Sequence, residues 1–295
     1  MFGFLGGYSV ILWVQSFHSS LLDQVAVMAS FIGTEAFFLV FVPLFYWCFS
    51  KRDGVRLTLV FLLSAYVNSV CKEIFGLPRP EAGRVRVLYP SSGGGYSFPS
   101  GHAQNAVVFW GWLARTLRWR PYTWAFAILV LLISLSRIYL GLHFPADVVG
   151  GWIAGAIILG ALALVDLRIS RRPIGWEGRL LPWAGVGLPV ILFPLRSHPV
   201  QAQILGGMLG FCLGYLLESR WLRFSPIAPW KHQLLKAVGG WIIGAGLALV
   251  LRAALPAGDA YLFLQWAILG LWVSLGLPGL YVLVSKRRSA GLEED

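Results

Sequence analysis

Residues 57–71 read LTLVFLLSAYVNSVC and contain no charged side chain. Two further uncharged stretches lie at Ala125–Leu135 and Ala237–Leu251. The whole chain of 295 residues is 57% hydrophobic and only 13% charged. Helices of this composition lack a solvated face in water and need none in lipid. We therefore predict that these stretches span a membrane.

Nine apolar stretches are candidates for membrane spans. They lie near residues 32–50, 55–75, 103–118, 121–141, 146–167, 180–196, 201–219, 234–254 and 260–284. Most are about long enough to cross ~30 Å of hydrocarbon at ~1.5 Å per residue. We predict an all-α fold, a polytopic membrane helix bundle of about nine transmembrane helices. The amphipathic residues 3–30 are expected to lie on the membrane or to enter it in part.

The basic residues flank the spans in small groups, although the formal net charge is +11. The absence of one continuous basic tract argues against nucleic-acid binding. If the chain crosses the membrane at each of the nine spans, 17 of the 24 Lys and Arg residues lie on one side of the membrane. The positive-inside rule assigns that side to the cytoplasm. We thus expect a multi-pass integral membrane protein, in the cell membrane if it is bacterial.

Three short polar clusters interrupt the N-terminal half, and the same crossings place all three on the non-cytoplasmic side. They are Lys72 with Arg79-Pro80, then Pro99-Ser100-Gly101-His102, and then Ser136-Arg137 with His143 and Asp147. Ionisable groups near membrane depth are costly, so they mark functional sites. Residues 1–168, which hold all three clusters, are expected to form a core. Residues 169–295 are expected to form a four-span extension joined by a basic linker.

The residue types of these clusters favour binding of a phosphoryl group. Lys72, Arg79 and Arg137 supply three positive charges, and the planar Arg fork suits phosphate oxygens. Ser100 and the backbone N–H of Gly101 lie where a loop enters a predicted helix, and a helix N-terminus binds anions readily.

The same clusters contain groups for nucleophilic and acid catalysis. Asp147 follows His143 by four residues, so the two share a face if the helix near Pro145 extends back to His143; otherwise a turn joins them. A carboxylate on one ring nitrogen makes the other nitrogen a better nucleophile or base. His102 is then free to protonate a leaving oxygen.

The pattern Lys-x6-Arg-Pro, Pro-Ser-Gly-His and Ser-Arg-x5-His-x3-Asp resembles the signature of the type 2 phosphatidic acid phosphatases. They form the membrane branch of the superfamily that includes vanadium haloperoxidases and bacterial acid phosphatases. The resemblance covers about residues 20–168. It implies a phosphatase that needs no metal or other cofactor and forms a phosphohistidine.

The resemblance also assigns roles within the pattern. His143 is implied as the nucleophile, Asp147 as its orienting partner and His102 as the acid for the leaving group. The residues implied to hold the phosphoryl oxygens are Lys72, Arg79, Ser100, Gly101 and Arg137. The choice of His143 over His102 as the nucleophile rests on this resemblance and on the nearby Asp147.

The substrate is expected to be a lipid phosphate or diphosphate in the membrane. Candidates are polyprenyl diphosphate, phosphatidic acid, phosphatidylglycerol phosphate and sphingoid-base phosphate. Weaker similarities to glucose-6-phosphatases, over residues 136–145, and to sphingosine-phosphate phosphatases do not select among them. Phosphoryl transfer to a lipid or sugar acceptor, hydrolysis of a sugar phosphate, and a carrier that only binds lipid phosphate remain alternatives.

Other features of the sequence predict structure more than chemistry. The cysteines Cys48, Cys71 and Cys212 have no paired spacing, so neither a disulfide framework nor a metal site is expected. The glycines at 206, 210 and 214 recur on one helix face and predict a packing surface. The C-terminal spans are also a candidate contact for a homo-oligomer. In the loop between the first two clusters, Arg84, Arg86 and Tyr96 either touch a headgroup or face solvent.

Overall fold

The computed structural model describes residues 7–117, 120–169, 177–195 and 198–290. It is 82% helix, and no strand occurs within those ranges, so the all-α prediction is confirmed. The helices are α1 Gly7–Gln15, α2 Ser20–Ile32, α3 Glu35–Cys48, α4 Lys51–Phe75, α5 Gly101–Leu117, α6 Arg120–Tyr139, α7 Pro145–Ile169, α8 Glu177–Leu195, α9 Pro199–Trp221, α10 Trp230–Ala254, α11 Asp259–Leu271 and α12 Leu277–Ala290.

Six helical segments among the described residues are long and apolar enough to span a membrane. They are α4, α6, residues 145–164 of α7, α9, α10 and the continuous segment Asp259–Ser285, in which a π-helical turn at Trp272–Gly276 joins α11 to α12. A seventh arises if α2 and α3, bent by 49° at a short break, count as one span. The predicted count of nine is therefore not confirmed.

The differences from nine lie in three of the predicted spans. The span expected at 32–50 is the shorter α3, because Thr34 interrupts the helix and caps its next turn: its Oγ1 accepts the N–H of Phe37 at 3.2 Å. The span expected at 103–118 is α5, with 17 residues. Only residues 180–195 of α8 form an apolar stretch, which is below span length.

The chain divides into two compact units. The first comprises Met1–Leu39 and Leu63–Leu167, and the second comprises Val40–Leu62 and Arg168–Asp295. Residues 40–62 thus group with the C-terminal extension, whereas the sequence alone offered a single division after residue 168. Most of the linker predicted around Arg168–Arg179 and the acidic end of the tail lie outside the described residues.

The first unit contains the N-terminal helices, which pack onto the loop and helices that carry the polar clusters. Ile11 of α1 is fully buried in a cluster with Val85, Ala103, Ile138 and Val148. The side-chain amide of Gln15 donates to the carbonyls of Arg86 at 2.7 Å and Tyr139 at 2.8 Å. Asp23 of α2 accepts from Arg86 and Tyr139. Residues 7–32 are therefore an integral part of this unit.

Close approach of α7 to α5 is possible because α7 carries glycines at the contact. A Cβ atom on Gly151 would lie 2.6 Å from the carbonyl oxygen of Ser100 and 3.0 Å from Cβ of Ala103. A Cβ on Gly155 would lie 2.8 Å from the carbonyl oxygen of Gln104. The spacing is tight enough to exclude side chains at both positions, so it fixes the beginning of α5 against the first turns of α7.

The second unit has its own core and its own glycine contact. Its buried side chains include Tyr46, Trp47, Phe211 and Leu277. A Cβ on Gly210 would lie only 1.8 Å from the carbonyl oxygen of Ala267, so α9 and α11 meet backbone to backbone. Gly206 and Gly214 make similarly close contacts to α11 and to the π-helical turn. The row of glycines at 206, 210 and 214 is therefore a helix-packing surface, as predicted.

Candidate active site

The eight residues predicted for the site lie at neighbouring helix ends within the first unit. Lys72 is in the last turn of α4, Arg137 in the last turn of α6 and Asp147 in the first turn of α7. The remaining residues lie in the adjoining loops or in the first turn of α5: Arg79, Ser100, Gly101, His102 and His143. Four helix ends therefore bring the three clusters together.

His143 and Asp147 contact each other through a turn, since α7 begins at Pro145 and does not extend back to His143. Nδ1 of His143 lies 3.3 Å from Oδ2 of Asp147. The same oxygen accepts the backbone N–H of Phe144 at 2.8 Å and the hydroxyl of Ser97 at 2.5 Å. His143 and Asp147 are only 1% and 3% exposed, so hydrogen bonds hold this pair in place without solvent.

Arg79 determines which ring nitrogen of His143 carries the proton. Its Nη1 lies 3.0 Å from Nε2 of His143. A guanidinium group only donates hydrogen bonds, so Nε2 accepts and bears the lone pair. The proton of the neutral ring is therefore on Nδ1, which faces Asp147 and Ser97. A neutral ring with a lone pair on Nε2 is the form in which an imidazole can act as a nucleophile or base.

The guanidinium of Arg79 also binds the glycine-rich loop before α5. Its Nη2 donates to the carbonyl of Gly94 at 2.8 Å, and its Nε donates to that of Gly95 at 3.0 Å. A further bond runs from Nη1 to the carbonyl of Leu142 at 2.8 Å. Backbone carbonyls thus hold Arg79 beside Nε2 of His143.

Arg137 is completely buried, and α2 supplies part of its surroundings. Its Nη1 donates to the hydroxyls of Ser30 at 2.5 Å and Ser92 at 2.9 Å, and its Nη2 donates to the carbonyl of Ser92 at 2.8 Å. Its Nε is buried and has no hydrogen-bond partner among the described residues. A buried cation with neutral partners and an unused donor is suited to an anionic ligand.

The turn that begins α5 contributes further polar groups. The N–H of Ser100 donates to the backbone carbonyl of Asp147 at 2.9 Å, so the turn is tied to α7. Oγ of Ser100 and Nε2 of His102 are buried, and neither makes a hydrogen bond within the described part of the chain. Buried polar atoms are normally paired, and those that are not require an explanation. A phosphoryl oxygen is a ligand that would satisfy them.

Burial and the neighbouring cations both affect the protonation of His143. Burial lowers the pKa of His143 well below its usual value, and the neighbouring Arg79, Arg137, Lys72 and His102 lower it further. Each positive charge disfavours a proton on the ring. The imidazole of His143 is therefore neutral near pH 7, in the form that can attack phosphorus.

A buried polar network supports the turn from α4. The amide of Asn68, one helical turn before Lys72, donates to the carbonyl of Pro99 at 3.2 Å and to Oε1 of Gln104 at 2.8 Å. The amide of Gln104 donates to the carbonyl of Ser64 at 2.8 Å. These bonds align the end of α4 with the start of α5.

Several contributors to the site were not predicted from the sequence. Ser97, Ser30 and Ser92 bond to Asp147 or Arg137, and Asn68 bonds to the carbonyl of Pro99 in the second cluster. None of the four belongs to the three clusters. Ser97 and Asn68 lie within four residues of a cluster, which is the only signal the sequence offered. Ser30 is 107 residues from Arg137 and had no such signal.

The loop residues considered for headgroup binding have other contacts. The guanidinium of Arg84 stacks 3.9 Å from the ring centroid of Tyr8. Arg86 pairs with Asp23 at 2.9 Å. Tyr96 is exposed. Within the described ranges, no group of three or more His, Cys, Asp or Glu side chains is arranged to hold a metal ion.

Comparison with protein families identifies two segments of the chain. A model described as the PAP2 superfamily matches residues 53–170. A second model, described as the transmembrane extension of PAP2 superfamily phosphatases, matches residues 202–289. The first match contains all three polar clusters, and the second covers most of the C-terminal extension.

Individual relatives are similar over part of the chain. Lipid phosphate phosphatase delta of Arabidopsis thaliana is 26% identical over 67% of this chain and 51% of its own length. Sphingosine-1-phosphate phosphatase 1 of Mus musculus is 31% identical over 62% of this chain and 45% of its own length. The chain thus spans about half the length of the curated relatives it matches.

A solved structure shows a similarity of more limited extent. It is the crystal structure of a transmembrane PAP2-type phosphatidylglycerolphosphate phosphatase from Bacillus subtilis. The similarity covers 57% of this chain and 87% of that chain, with a TM-score of 0.49 and 23% sequence identity.

Proposed function

Because the chain belongs to the PAP2 superfamily, we propose that it is a membrane phosphatase that hydrolyses a lipid phosphate or lipid diphosphate through a phosphohistidine. The observation that carries this proposal is the contact of Arg79 Nη1 with Nε2 of His143 at 3.0 Å. Because Arg79 only donates, this contact leaves the lone pair of the ring on Nε2. A nucleophile, an orienting carboxylate and phosphate-binding cations are the parts that such a reaction requires.

In the first step, Arg79 moves its hydrogen bond from Nε2 of His143 to a phosphoryl oxygen, which frees the Nε2 lone pair. Nε2 then attacks phosphorus, and the bond from phosphorus to the lipid oxygen breaks. Arg79, Arg137 and Lys72 bind the phosphoryl oxygens, with Ser100 and the N–H of Gly101, and stabilise the charge of the transition state. His102 donates its proton to the leaving oxygen, and the negative charge of the bound phosphoryl group favours the protonated form of that ring. The lipid alcohol leaves, and His143 is phosphorylated.

In the second step, a water molecule attacks the phosphohistidine. His102, now neutral, takes a proton from the water, and the bond from phosphorus to Nε2 breaks. Inorganic phosphate is released, and both histidines return to their starting forms. A metal ion is not required for either step, because the guanidinium and ammonium groups neutralise the phosphoryl charge.

The membrane spans support a lipid phosphate as the substrate class. The site adjoins helices that span the bilayer, so an acyl or prenyl chain can stay in lipid while its headgroup reaches His143. The names of the relatives also point to lipid phosphates, including a sphingosine-1-phosphate phosphatase and a phosphatidylglycerophosphatase. Transfer of the phosphoryl group to an alcohol uses the same intermediate and is the second candidate function, and an added lipid or sugar acceptor that diverts phosphate into a new ester would identify it.

Phosphate release by purified protein in detergent tests the proposal. We expect His143→Ala to reduce the release of phosphate from a panel of lipid and sugar phosphates by at least about 1,000-fold, since it removes the nucleophile. Rapid quenching in alkaline SDS with substrate radiolabelled in its phosphate should trap a phosphoenzyme that is stable in base and labile in acid, and His143→Ala should form none. His18→Ala, at an exposed histidine, is the matched control.

Three results would contradict the proposal. Phosphate release by His143→Ala at the normal rate would exclude His143 as the nucleophile. Loss of activity after addition of a chelator would exclude the metal-independent reaction. Movement of lipid between leaflets without release of phosphate would instead favour a carrier.

We also propose that the site opens on the non-cytoplasmic face, from the distribution of basic residues. With the three native cysteines replaced by Ser, a single cysteine at Ser91, in the loop before α5, should react with a membrane-impermeant maleimide on intact cells. A single cysteine at Leu117, at the far end of α5, should not. The reverse labelling pattern would place the site in the cytoplasm and leave the phosphatase proposal standing.

A further inference from the structure

Ser97 is a buried hydroxyl that lies between the first two polar clusters. It is completely inaccessible to solvent. Its backbone N–H donates to the carbonyl of Leu77 at 2.8 Å, which fixes it beside the segment that leads to Arg79. Ser97 precedes the Pro-Ser-Gly-His motif and is not part of the three-part pattern.

The side chain of Ser97 contacts both members of the histidine–carboxylate pair. Its Oγ lies 2.5 Å from Oδ2 of Asp147 and 3.3 Å from Nδ1 of His143. A hydroxyl has one proton to donate and lone pairs to accept with. Because the carboxylate oxygen only accepts, the hydroxyl proton goes to Asp147, and a lone pair of Oγ remains for the Nδ1 proton of His143.

We propose that Ser97 is a positioning residue for the phosphatase reaction, which shares the Nδ1 proton of His143 with Asp147 and thereby directs the Nε2 lone pair at phosphorus. The inference rests on the proposed function of His143 as the nucleophile. Ser97 lies on the Nδ1 side of the ring, whereas the substrate approaches Nε2. It therefore acts through His143 and not on the substrate.

The contribution of Ser97 should increase during the reaction. Attack by Nε2 places positive charge on the imidazole, and a hydrogen bond from a charged donor is stronger than one from a neutral donor. Two acceptors on Nδ1–H then stabilise the phosphohistidine better than one. Without the hydroxyl, Asp147 also loses one of three donors, so both its position and that of the ring become less defined.

The matched control for Ser97 is Ser134 of α6. Its hydroxyl is equally buried, and it accepts the indole N–H of Trp152 at 2.8 Å. Each variant removes a buried hydroxyl and its hydrogen bonding from the same unit, but only the hydroxyl of Ser97 contacts His143. A difference between the two variants therefore reports on positioning and not on the general cost of losing a buried hydroxyl.

The experiment compares Ser97→Ala, Ser134→Ala and the unmodified protein in detergent. We expect Ser97→Ala to lower kcat about 10- to 100-fold while KM changes less than about threefold, because partners that orient a reacting group act on that group and not on substrate binding. Ser134→Ala should keep kcat within about threefold. In protein labelled with ¹⁵N-histidine, the Nδ1 resonance of His143, assigned by its loss in His143→Ala, should shift in Ser97→Ala only.

The outcomes separate this inference from the proposed function. A kcat for Ser97→Ala within about threefold of the unmodified protein, with His143→Ala inactive, overturns the role of Ser97 alone. An equal loss of kcat in both serine variants overturns it as well. If His143→Ala stays active, the phosphohistidine mechanism fails, and with it the role of Ser97 in that mechanism. An unchanged Nδ1 resonance of His143 in Ser97→Ala would reject the hydrogen bond between Ser97 and His143.

Discussion

The chemistry of single side chains in the site depends on which of their atoms carry protons. Arg79 donates to Nε2 of His143, so the ring proton lies on Nδ1, between Asp147 and Ser97. The residue types and spacing of His143 and Asp147 were visible in the sequence. The ring tautomer was not, because it depends on a guanidinium 64 residues away.

The protonation of His143 can be tested by titration. Burial and the surrounding cations lower its pKa, so the free protein should titrate His143 below pH 6.5, and the neutral ring should persist into mildly acidic solution. Arg79→Gln removes one of those charges and should raise the titration midpoint. Histidine ¹⁵N NMR against pH, with the resonance assigned through His143→Ala, measures both values.

Two results of that titration would contradict the electrostatic account of the site. One is a midpoint at or above pH 6.5 in the unmodified protein without phosphate. The other is a midpoint that does not move in Arg79→Gln. The first would mean that burial and the neighbouring cations do not disfavour the protonated ring of His143, and the second that the charge of Arg79 does not act on it.

Helices were predictable from the sequence where one long apolar stretch forms one helix. Residues 55–75, 121–141, 201–219 and 234–254 correspond to α4, α6, α9 and α10 within a few residues. The prediction was less accurate at residues 32–50, where the helix that forms, α3, begins at Glu35 and ends at Cys48. A hydropathy pattern registers how apolar a segment is, but it does not show where the helix within it begins and ends.

The close contact between α5 and α7 can be tested by adding a side chain at Gly151. Gly151→Ala would place a Cβ 2.6 Å from the carbonyl oxygen of Ser100, which is backbone and cannot rotate away. We expect a loss of about 1–3 kcal/mol in stability from this overpacking. Phosphate release should fall at least about 10-fold, because Asp147 and Ser100 move apart.

The matched control for Gly151 is Gly160 on the same helix. A Cβ there has no neighbouring atom within 4 Å. Gly160→Ala should keep the activity and either keep or raise the unfolding temperature, since Ala is the better helix former. Thermal unfolding and phosphate release in detergent measure both variants. Equal behaviour of the two variants would show that the close contact is not needed.

The two compact units of the whole molecule have other boundaries than the two parts expected from the sequence. The proposed division into residues 1–168 and 169–295 follows the location of the polar clusters. By contacts, residues 40–62 belong with the C-terminal extension. There Trp47 donates its indole N–H to the carbonyl of Val273 at 2.7 Å, and the ammonium of Lys236 donates to the carbonyl of Trp47 at 2.9 Å.

These contacts predict the result of a truncation after Leu167. The shortened chain keeps Tyr46 and Trp47, which are 0% and 1% exposed, but loses the side chains that bury them. We expect it to aggregate or unfold in detergent, because two large aromatic side chains lose their packing and their hydrogen-bond partners. Size-exclusion chromatography and phosphate release measure the outcome.

A chain that lacks only residues 291–295 is the control for the truncation. A monodisperse truncated protein with normal activity would contradict the assignment of residues 40–62 to the second unit. It would show instead that residues 1–167 fold and act without the extension.

The membrane location, the helical class and the residues of the three polar clusters could be predicted from the amino-acid sequence. Apolar length and costly polar residues are local properties, so they are visible without a structure. The tertiary structure alone decided which side chains complete the site, among them Ser30 and Ser97, and which segments pack in each unit. Those features depend on contacts between residues far apart in the chain, and no local pattern encodes which distant backbone will come within hydrogen-bonding distance.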